Sequence, residues 1–136
     1  MNEIKFLLDT NIVSYYLRRS SEGLEEKLNA AMKQYSCAIS VLTRAEIRYG
    51  QALMDKKDAR IPLIDQFLLY IPCLPWDNNC ADQFGQLKAW TKQQGSPRGD
   101  FDTQIAAHAL AEELILVTHN VKHFAGIENL IIEDWF

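Results

Sequence analysis

Residues 4–12 read Ile-Lys-Phe-Leu-Leu-Asp-Thr-Asn-Ile, and this stretch decides the fold. Its first five residues are mostly apolar and have the length of a short strand. Strands covered on both faces of a sheet are apolar throughout rather than alternating. The run ends at Asp9, and a helical pattern of apolar residues follows at once over residues 11–17. The stretch therefore predicts a buried strand that opens directly into a helix.

Short apolar runs and helical patterns alternate through the rest of the chain. Further strands are predicted over residues 37–40, 71–75, 115–118 and 130–132, and further helices over residues 21–35, 41–53, from about 60 onwards, 78 to about 95, and 102–113. Pro72 and Pro75 place the third strand at or near an edge of the sheet, because proline donates no ladder hydrogen bond. The alternation favours a mainly parallel sheet with helices on both faces, an α/β fold of the three-layer α/β/α sandwich type.

Length and charge limit the kinds of function. The 136 residues, 48% of them hydrophobic, are enough for one continuous core, so we expect a single domain over residues 1–136. The net charge of -4 argues against a protein that holds nucleic acid through a broad basic surface. It leaves open an enzyme that grips RNA locally and briefly.

The cysteines and the N-terminus indicate a cytoplasmic protein. Cys37, Cys73 and Cys80 are widely spaced, form no C-x-x-C pair, and have no histidine placed to complete a zinc site. We expect reduced core cysteines. No apolar run has the length of a signal-peptide core or approaches the ~20 residues of a membrane span, so we expect no membrane association.

Three acids and one amide are predicted to meet at one edge of the sheet. Asp9 follows the first strand, Glu46 lies in the second turn of the helix after the second strand, and Asn120 follows the strand over residues 115–118. Asp102 begins a crossover helix. In open α/β sheets, the functional crevice lies outside the carboxyl ends of the strands. All four residues should therefore face that crevice.

The three carboxylates predict a site for a hard divalent cation. Carboxylates brought within a few ångströms repel one another, and a cation removes the conflict. The set is oxygen-only, which favours Mg²⁺, or Mn²⁺, over Zn²⁺.

Each acid also has a purely structural explanation. Asp9 is a favoured residue for the N-cap of the helix that follows it. Glu46 is spaced to form a capping box with Thr43. Asp102 is placed to be the N-cap or the first-turn dipole partner of its helix, and nearby Asp100 competes for either role.

Five segments together carry a family resemblance. They are residues 7–12 (LLDTNI), 39–50 (ISVLTRAEIRYG), 102–110 (DTQIAAHAL), 116–124 (LVTHNVKHF) and 132–136 (IEDWF). In this order they resemble the PIN-domain family, and within it the VapC toxins of bacterial type II toxin–antitoxin pairs. The resemblance spans nearly the whole chain.

The resemblance implies an endoribonuclease that hydrolyses RNA phosphodiester bonds. It puts Asp9, Glu46 and Asp102 at the positions of metal-binding acids and Asn120 at a fourth position, where many relatives have Asp. Asn120 has a simpler interpretation as a turn residue. The resemblance also implies a homodimer and a VapB-like antitoxin whose C-terminal segment covers the acids.

Two other functions remain open at this point. One is a catalytically weak PIN-like module that binds RNA or a partner, an alternative kept open by the neutral Asn120. The other is a phosphatase of small substrates, although no phosphate-cradling glycine-rich loop is present.

Several basic residues lie in or beside the loops expected near the predicted site. Lys92, Arg98 and Lys122 flank the loops near it and are candidate phosphate contacts. Arg44 and Arg48 should point away from Glu46, because they lie about 200° from it around the helix. We expect no catalytic role for the histidines, and we expect His108 to pack in the core.

Overall fold

The protein folds around a five-stranded sheet in the computed structural model, which describes residues 3–136. The strands are β1 (Phe6–Leu8), β2 (Cys37–Ser40), β3 (Cys73–Leu74), β4 (Ile115–Val117) and β5 (Ile132–Glu133). Every neighbouring pair is parallel, in the order β3-β2-β1-β4-β5. This arrangement confirms the predicted parallel sheet, and β3, which follows Pro72, lies at an edge as expected.

Helices connect the strands. They are α1 (Thr10–Leu17), α2 (Glu22–Lys33), α3 (Val41–Ala52), α4 (Arg60–Tyr70), α5 (Asn78–Gln93), α6 (Asp100–Ala111) and α7 (Val121–Phe124). Ser21 accepts a hydrogen bond from the Leu24 amide at the start of α2, and Asp77 does the same for the Cys80 amide at the start of α5. These side chains satisfy amides that have no partner inside the helix. No helix within residues 3–136 combines the length and the hydropathy that crossing a membrane requires.

The sheet separates two apolar cores. Consecutive strand residues point to opposite faces, so Leu8 and Val117 pack in one core while Leu7 and Leu116 pack in the other. Helices α1 to α4 supply the first core, and α5 to α7 supply the second. The three-layer sandwich expected from the sequence is therefore present.

The structure corrects two element boundaries and adds one helix. Helix α6 begins at Asp100 rather than at residue 102, because the extended Gly99 serves as its N-cap. The last strand is Ile132–Glu133 rather than residues 130–132, because Ile132 and Glu133 are the residues in register with β4. The single-turn helix α7 was missed, since four residues are too short to show a helical period.

Candidate active site

The side chains of Asp9, Glu46 and Asp102 line one cleft of about 150 Å³. They come from three different elements: the end of β1, the second turn of α3 and the first turn of α6. The spatial order of the strands reverses at β1, with β2 on one side and β4 on the other. Such a switch point is where open α/β sheets bind ligands. The three acids therefore line one cleft, as predicted, but their carboxylate oxygens do not all lie within 4.8 Å of one another.

Asp9 is buried, with 5% of its surface exposed, and it has two structural roles. Its amide donates to the Val117 carbonyl at 3.1 Å, which joins the ends of β1 and β4. Its carboxylate Oδ1 accepts from the Ile12 amide at 2.8 Å and caps α1. The capping interpretation was therefore correct, and it coexists with a place in the cleft.

The pKa of Asp9 is raised above its usual value. Burial is the main cause, and the negative charge of Asp102 adds to it. The Thr118 hydroxyl and the Ile12 amide act in the opposite direction but do not overcome burial. The charged form of Asp9 is therefore held in an environment that disfavours it.

Glu46 does not form a capping box with Thr43, because Thr43 is not the N-cap of α3. The N-cap of α3 is Ser40, whose hydroxyl accepts from the Leu42 amide at 3.1 Å. Thr43 is the third residue of the helix, and its hydroxyl accepts from the Thr10 hydroxyl at 3.2 Å. The capping-box interpretation is wrong. The pKa of Glu46 is raised, first by partial desolvation and then by the charge of Asp102.

Asp102 and Asp100 share the first turn of α6 but face different surroundings. Asp100 pairs with Lys88 at 3.0 Å and is not among the cleft residues. Asp102 faces the cleft, and its Oδ2 lies 3.1 Å from Nδ1 of His123. The N-cap is Gly99, so Asp102 is the first-turn residue and not the cap. Only Asp102 of the two belongs to the acid cluster.

His123 is the cleft residue that sequence analysis missed. It lies in α7, lines the cleft beside Phe124, and contacts Asp102. Its position shortly after the end of β4 was the available signal, because that strand ends at the same edge of the sheet as the acids. Without the short helix α7, the direction of its side chain could not be predicted.

Asn120 follows β4 as predicted but is not among the residues that line the acid cleft. Its backbone amide donates to the Thr118 hydroxyl at 3.0 Å in the turn before α7. The turn-residue interpretation therefore describes its backbone, and a catalytic role for its side chain stays a prediction.

A second cleft of about 430 Å³ adjoins the acids and carries two of the three candidate phosphate contacts. It shares Asp102 and His123 with the first cleft and is also lined by Arg98 and Lys122. Lys92 is not among its lining residues. The Arg98 guanidinium donates to the carbonyls of Ser96, His123 and Ala125, so its donors are largely engaged by the protein itself.

Arg44 and Arg48 point away from the cleft, as their angular position predicted. Arg44 donates to the Leu68 carbonyl at 3.2 Å, and Arg48 pairs with Asp65 at 2.6 Å. Both partners belong to α4. These arginines fasten α3 to α4.

The donor set of the cleft fits a hard divalent cation. Its potential ligands are the oxygens of Asp9, Glu46 and Asp102, with the Thr10 hydroxyl alongside. The pKa values of Asp9 and Glu46 are raised partly by the charge of Asp102, so the acids repel one another as expected. A cation bound among them would reverse that effect, and oxygen ligands suit Mg²⁺ and Mn²⁺.

A second group of potential ligands was not foreseen. One ligand atom each of Cys80, His108 and Glu112 lies within 4.8 Å of the others. Sequence spacing placed no histidine beside these cysteines, whereas in the structure α5 brings Cys80 against His108 of α6. The three cysteines are free thiols, as expected, with Cys37 and Cys80 buried and Cys73 half-buried.

Comparison with known proteins identifies the class to which this fold and cleft belong. A model of the PIN domain matches residues 6–129, so the chain belongs to the PIN-domain family.

Within that family, the chain is similar to VapC ribonucleases. Ribonuclease VapC2 of Rickettsia felis is 35% identical over 130 residues, which cover 96% of this chain and 97% of that protein. The tRNA(fMet)-specific endonuclease VapC of Shigella flexneri is 34% identical over 132 residues, covering 97% and 98%. In the solved structure of VapBC2 from Rickettsia felis bound to a promoter DNA fragment, the matching chain is 33% identical. Its TM-score is 0.88, with coverage of 98% of this chain and 100% of that one.

Proposed function

We propose that this PIN-domain protein is the ribonuclease toxin of a toxin–antitoxin pair and hydrolyses RNA phosphodiester bonds at the acid cleft. The observation that carries the proposal is the convergence of Asp9, Glu46 and Asp102, from three separate elements, on one cleft. The similarity to VapC ribonucleases over nearly the whole chain supports the same function. Asp9, Glu46 and Asp102 are the proposed catalytic and metal-binding residues.

The proposed cofactor is Mg²⁺, with Mn²⁺ as a second possibility. When bound, such an ion activates a water molecule for attack and stabilises negative charge on the phosphate. The three carboxylates hold the ion, and burial of Asp9 against α1 fixes the direction of one of them.

The chain itself positions the RNA and its attacking water. Lys122 offers a cation to the backbone phosphates in the adjoining cleft, while Arg98 holds the start of α6 against α7. His123 orients the Asp102 carboxylate through their 3.1 Å contact. Since water is the proposed nucleophile rather than the RNA 2′-hydroxyl, the products should carry 5′-phosphate and 3′-hydroxyl ends.

The proposed partners follow the relatives. Solved relatives are VapBC complexes, which supports a VapB-like antitoxin for this chain, together with a homodimer. The name of the Shigella relative makes a transfer RNA a reasonable target, and cleavage of one would inhibit translation and growth. Free thiols support a cytoplasmic location.

A weaker alternative is a PIN-like module that binds RNA or a partner without cutting it. Asn120 favours this alternative, because it is a neutral residue at the position where the resemblance predicts a fourth acid. The module would retain RNA binding in EDTA and leave the RNA intact.

The test is incubation of the purified protein, freed of antitoxin, with total cellular RNA in Mg²⁺, Mn²⁺ or EDTA. Asp102→Asn should abolish cleavage. Asp100→Asn is the matched control, because Asp100 shares the same helix turn but pairs with Lys88 outside the cleft. Discrete fragments that need the metal and Asp102, with 5′-phosphate ends, would support the proposal. Intact RNA throughout would favour the binding module, and 2′,3′-cyclic phosphate ends would refute attack by water.

A further inference from the structure

A second cluster of potential ligands lies at the opposite end of α6 from the acid cleft. It consists of Cys80, His108 and Glu112. His108 and Glu112 are four residues apart at the end of α6, a spacing that puts two side chains on one helix face. Cys80 lies in the first turn of α5 and is fully buried. One ligand atom of each lies within 4.8 Å of the other two. None of these residues lines the acid cleft.

His108 has a feature that core packing does not explain. The residue is 0% exposed, yet its Nε2 has no hydrogen-bond partner among residues 3–136. A buried polar atom left without a partner is unfavourable, on the order of 1–3 kcal/mol. Native structures satisfy nearly all such atoms with a protein group, a water molecule or an ion, so Nε2 is available to bind a ligand.

The other nitrogen of the same ring is already held. Nδ1 lies 2.9 Å from the Ser40 hydroxyl, which is itself fixed by the Leu42 amide. When Nδ1 donates to Ser40, Nε2 carries the lone pair. Histidines that bind metals are oriented in this way, with one nitrogen on a protein acceptor and the other on the metal.

We propose that Cys80, His108 and Glu112 bind a Zn²⁺ ion that fastens the start of α5 to the end of α6. A thiolate, an imidazole and a carboxylate form a mixed donor set suited to zinc, in contrast to the oxygen-only acid cleft. Zinc lies about 2.0–2.3 Å from such ligands, so they are separated by about 3.5 Å when it is bound. The present separations, at most 4.8 Å, exceed this by at most about 1.3 Å, and the exposed Glu112 side chain is free to move toward the two buried ligands.

The surrounding charge favours the cation. The carboxylate of Asp77, which accepts from the Cys80 amide at 3.0 Å, and the carboxylate of Glu112 both lie near Cys80. Binding therefore replaces the thiol proton, which passes to solvent, by a cation that these acids attract. Glu112 is exposed, so the fourth coordination position is open to water.

Cobalt is the probe that distinguishes this site from the acid cleft. Zn²⁺ is spectroscopically silent, whereas Co²⁺ bound to a thiolate gives a charge-transfer band in the near ultraviolet. The full chain would be titrated with Co²⁺ in excess Mg²⁺ and a thiol-free reductant. We expect a band that saturates at one equivalent and disappears when Zn²⁺ is added.

Three variants make the test specific. Cys80→Ser should abolish the band, and Cys73→Ser, a half-buried thiol outside the cluster, should leave it unchanged. Glu112→Gln alters only an exposed side chain, so it should fold normally and bind Co²⁺ at least tenfold more weakly. No band in the wild-type protein, a band that survives in Cys80→Ser, or unchanged affinity in Glu112→Gln would each overturn the site. RNA cleavage is not needed for any of these measurements.

Discussion

Replacing Asp9 by Asn or by Ala separates its two roles. Asn keeps a side-chain oxygen that accepts from the Ile12 amide, so it preserves the cap of α1 while removing the charge. Ala removes both. The difference in unfolding free energy between the two variants therefore measures the side-chain hydrogen bonds of residue 9, chiefly the cap, and we expect Asp9→Ala to be less stable than Asp9→Asn by about 1 kcal/mol. For a chain of this length, that is a change in Tm of about 3–5 °C.

The comparison with the wild-type protein tests the electrostatics of the cleft. The pKa of Asp9 is raised by burial and by Asp102, so its charge destabilises the metal-free fold at neutral pH. Asp9→Asn should therefore be at least as stable as wild type in EDTA. Mg²⁺ at ten times its dissociation constant should stabilise only the wild type, by about 1.4 kcal/mol. Both variants should lose RNA cleavage.

Asp77 provides a control, because it also caps a helix but the pKa of its carboxyl is shifted in the opposite direction. It caps α5 through the Cys80 amide, and hydrogen bonds to its carboxylate lower its pKa. Asp77→Asn should therefore lose stability where Asp9→Asn does not. The assay is urea unfolding followed by tryptophan fluorescence, in EDTA and in Mg²⁺. If Asp9→Asn were as unstable as Asp9→Ala in EDTA, or still cut RNA, the reasoning on the cleft would be refuted.

Two further predictions concern RNA binding and a buried thiol. Lys122→Ala should weaken RNA binding, measured by fluorescence anisotropy in EDTA, because one phosphate contact is lost. The slope of the logarithm of the binding constant against the logarithm of the salt concentration should also become shallower by about one. Lys56→Ala, on the exposed turn before α4, should change neither the affinity nor the slope. Burial raises the pKa of Cys37 to about 11, so the unfolded thiol ionises first and stability should fall by up to about 2 kcal/mol as pH rises from 9 to 11. Cys37→Ala should reduce that slope in urea titrations to the smaller one left by Cys73 and Cys80, whose pKa values burial also raises, and an unchanged slope would assign it to another group.

Much of the fold followed from sequence because local and global signals agree. Each local signal specifies one feature of the fold. The apolar run before Asp9 specifies β1, the N-caps Ser21 and Asp77 specify where α2 and α5 begin, and the prolines beside β3 place that strand at an edge. The rule that crevices lie beyond the carboxyl ends of parallel strands then brought the acids together without knowledge of any contact.

The remaining features depend on packing between distant segments. Cys80 and His108 are 28 residues apart and meet only because α5 lies against α6, so no spacing in the sequence reveals their contact. His123 reaches Asp102 through a helix of four residues, too short to leave a periodic pattern. In the same way, Thr43-x-x-Glu46 matches a capping box by spacing, but the helix begins three residues earlier, at Val41 after Ser40.

Asp9 shows why structural and functional explanations of one residue need not compete. A metal ligand works only if its carboxylate is held in place before the ion arrives, since fixing a loose side chain opposes binding. The hydrogen bond from the Ile12 amide to Oδ1 supplies that constraint, and the same side chain lines the cleft with Glu46 and Asp102. Capping α1 therefore fixes the direction of a buried carboxylate in the cleft where the proposed cation would offset its repulsion with Asp102.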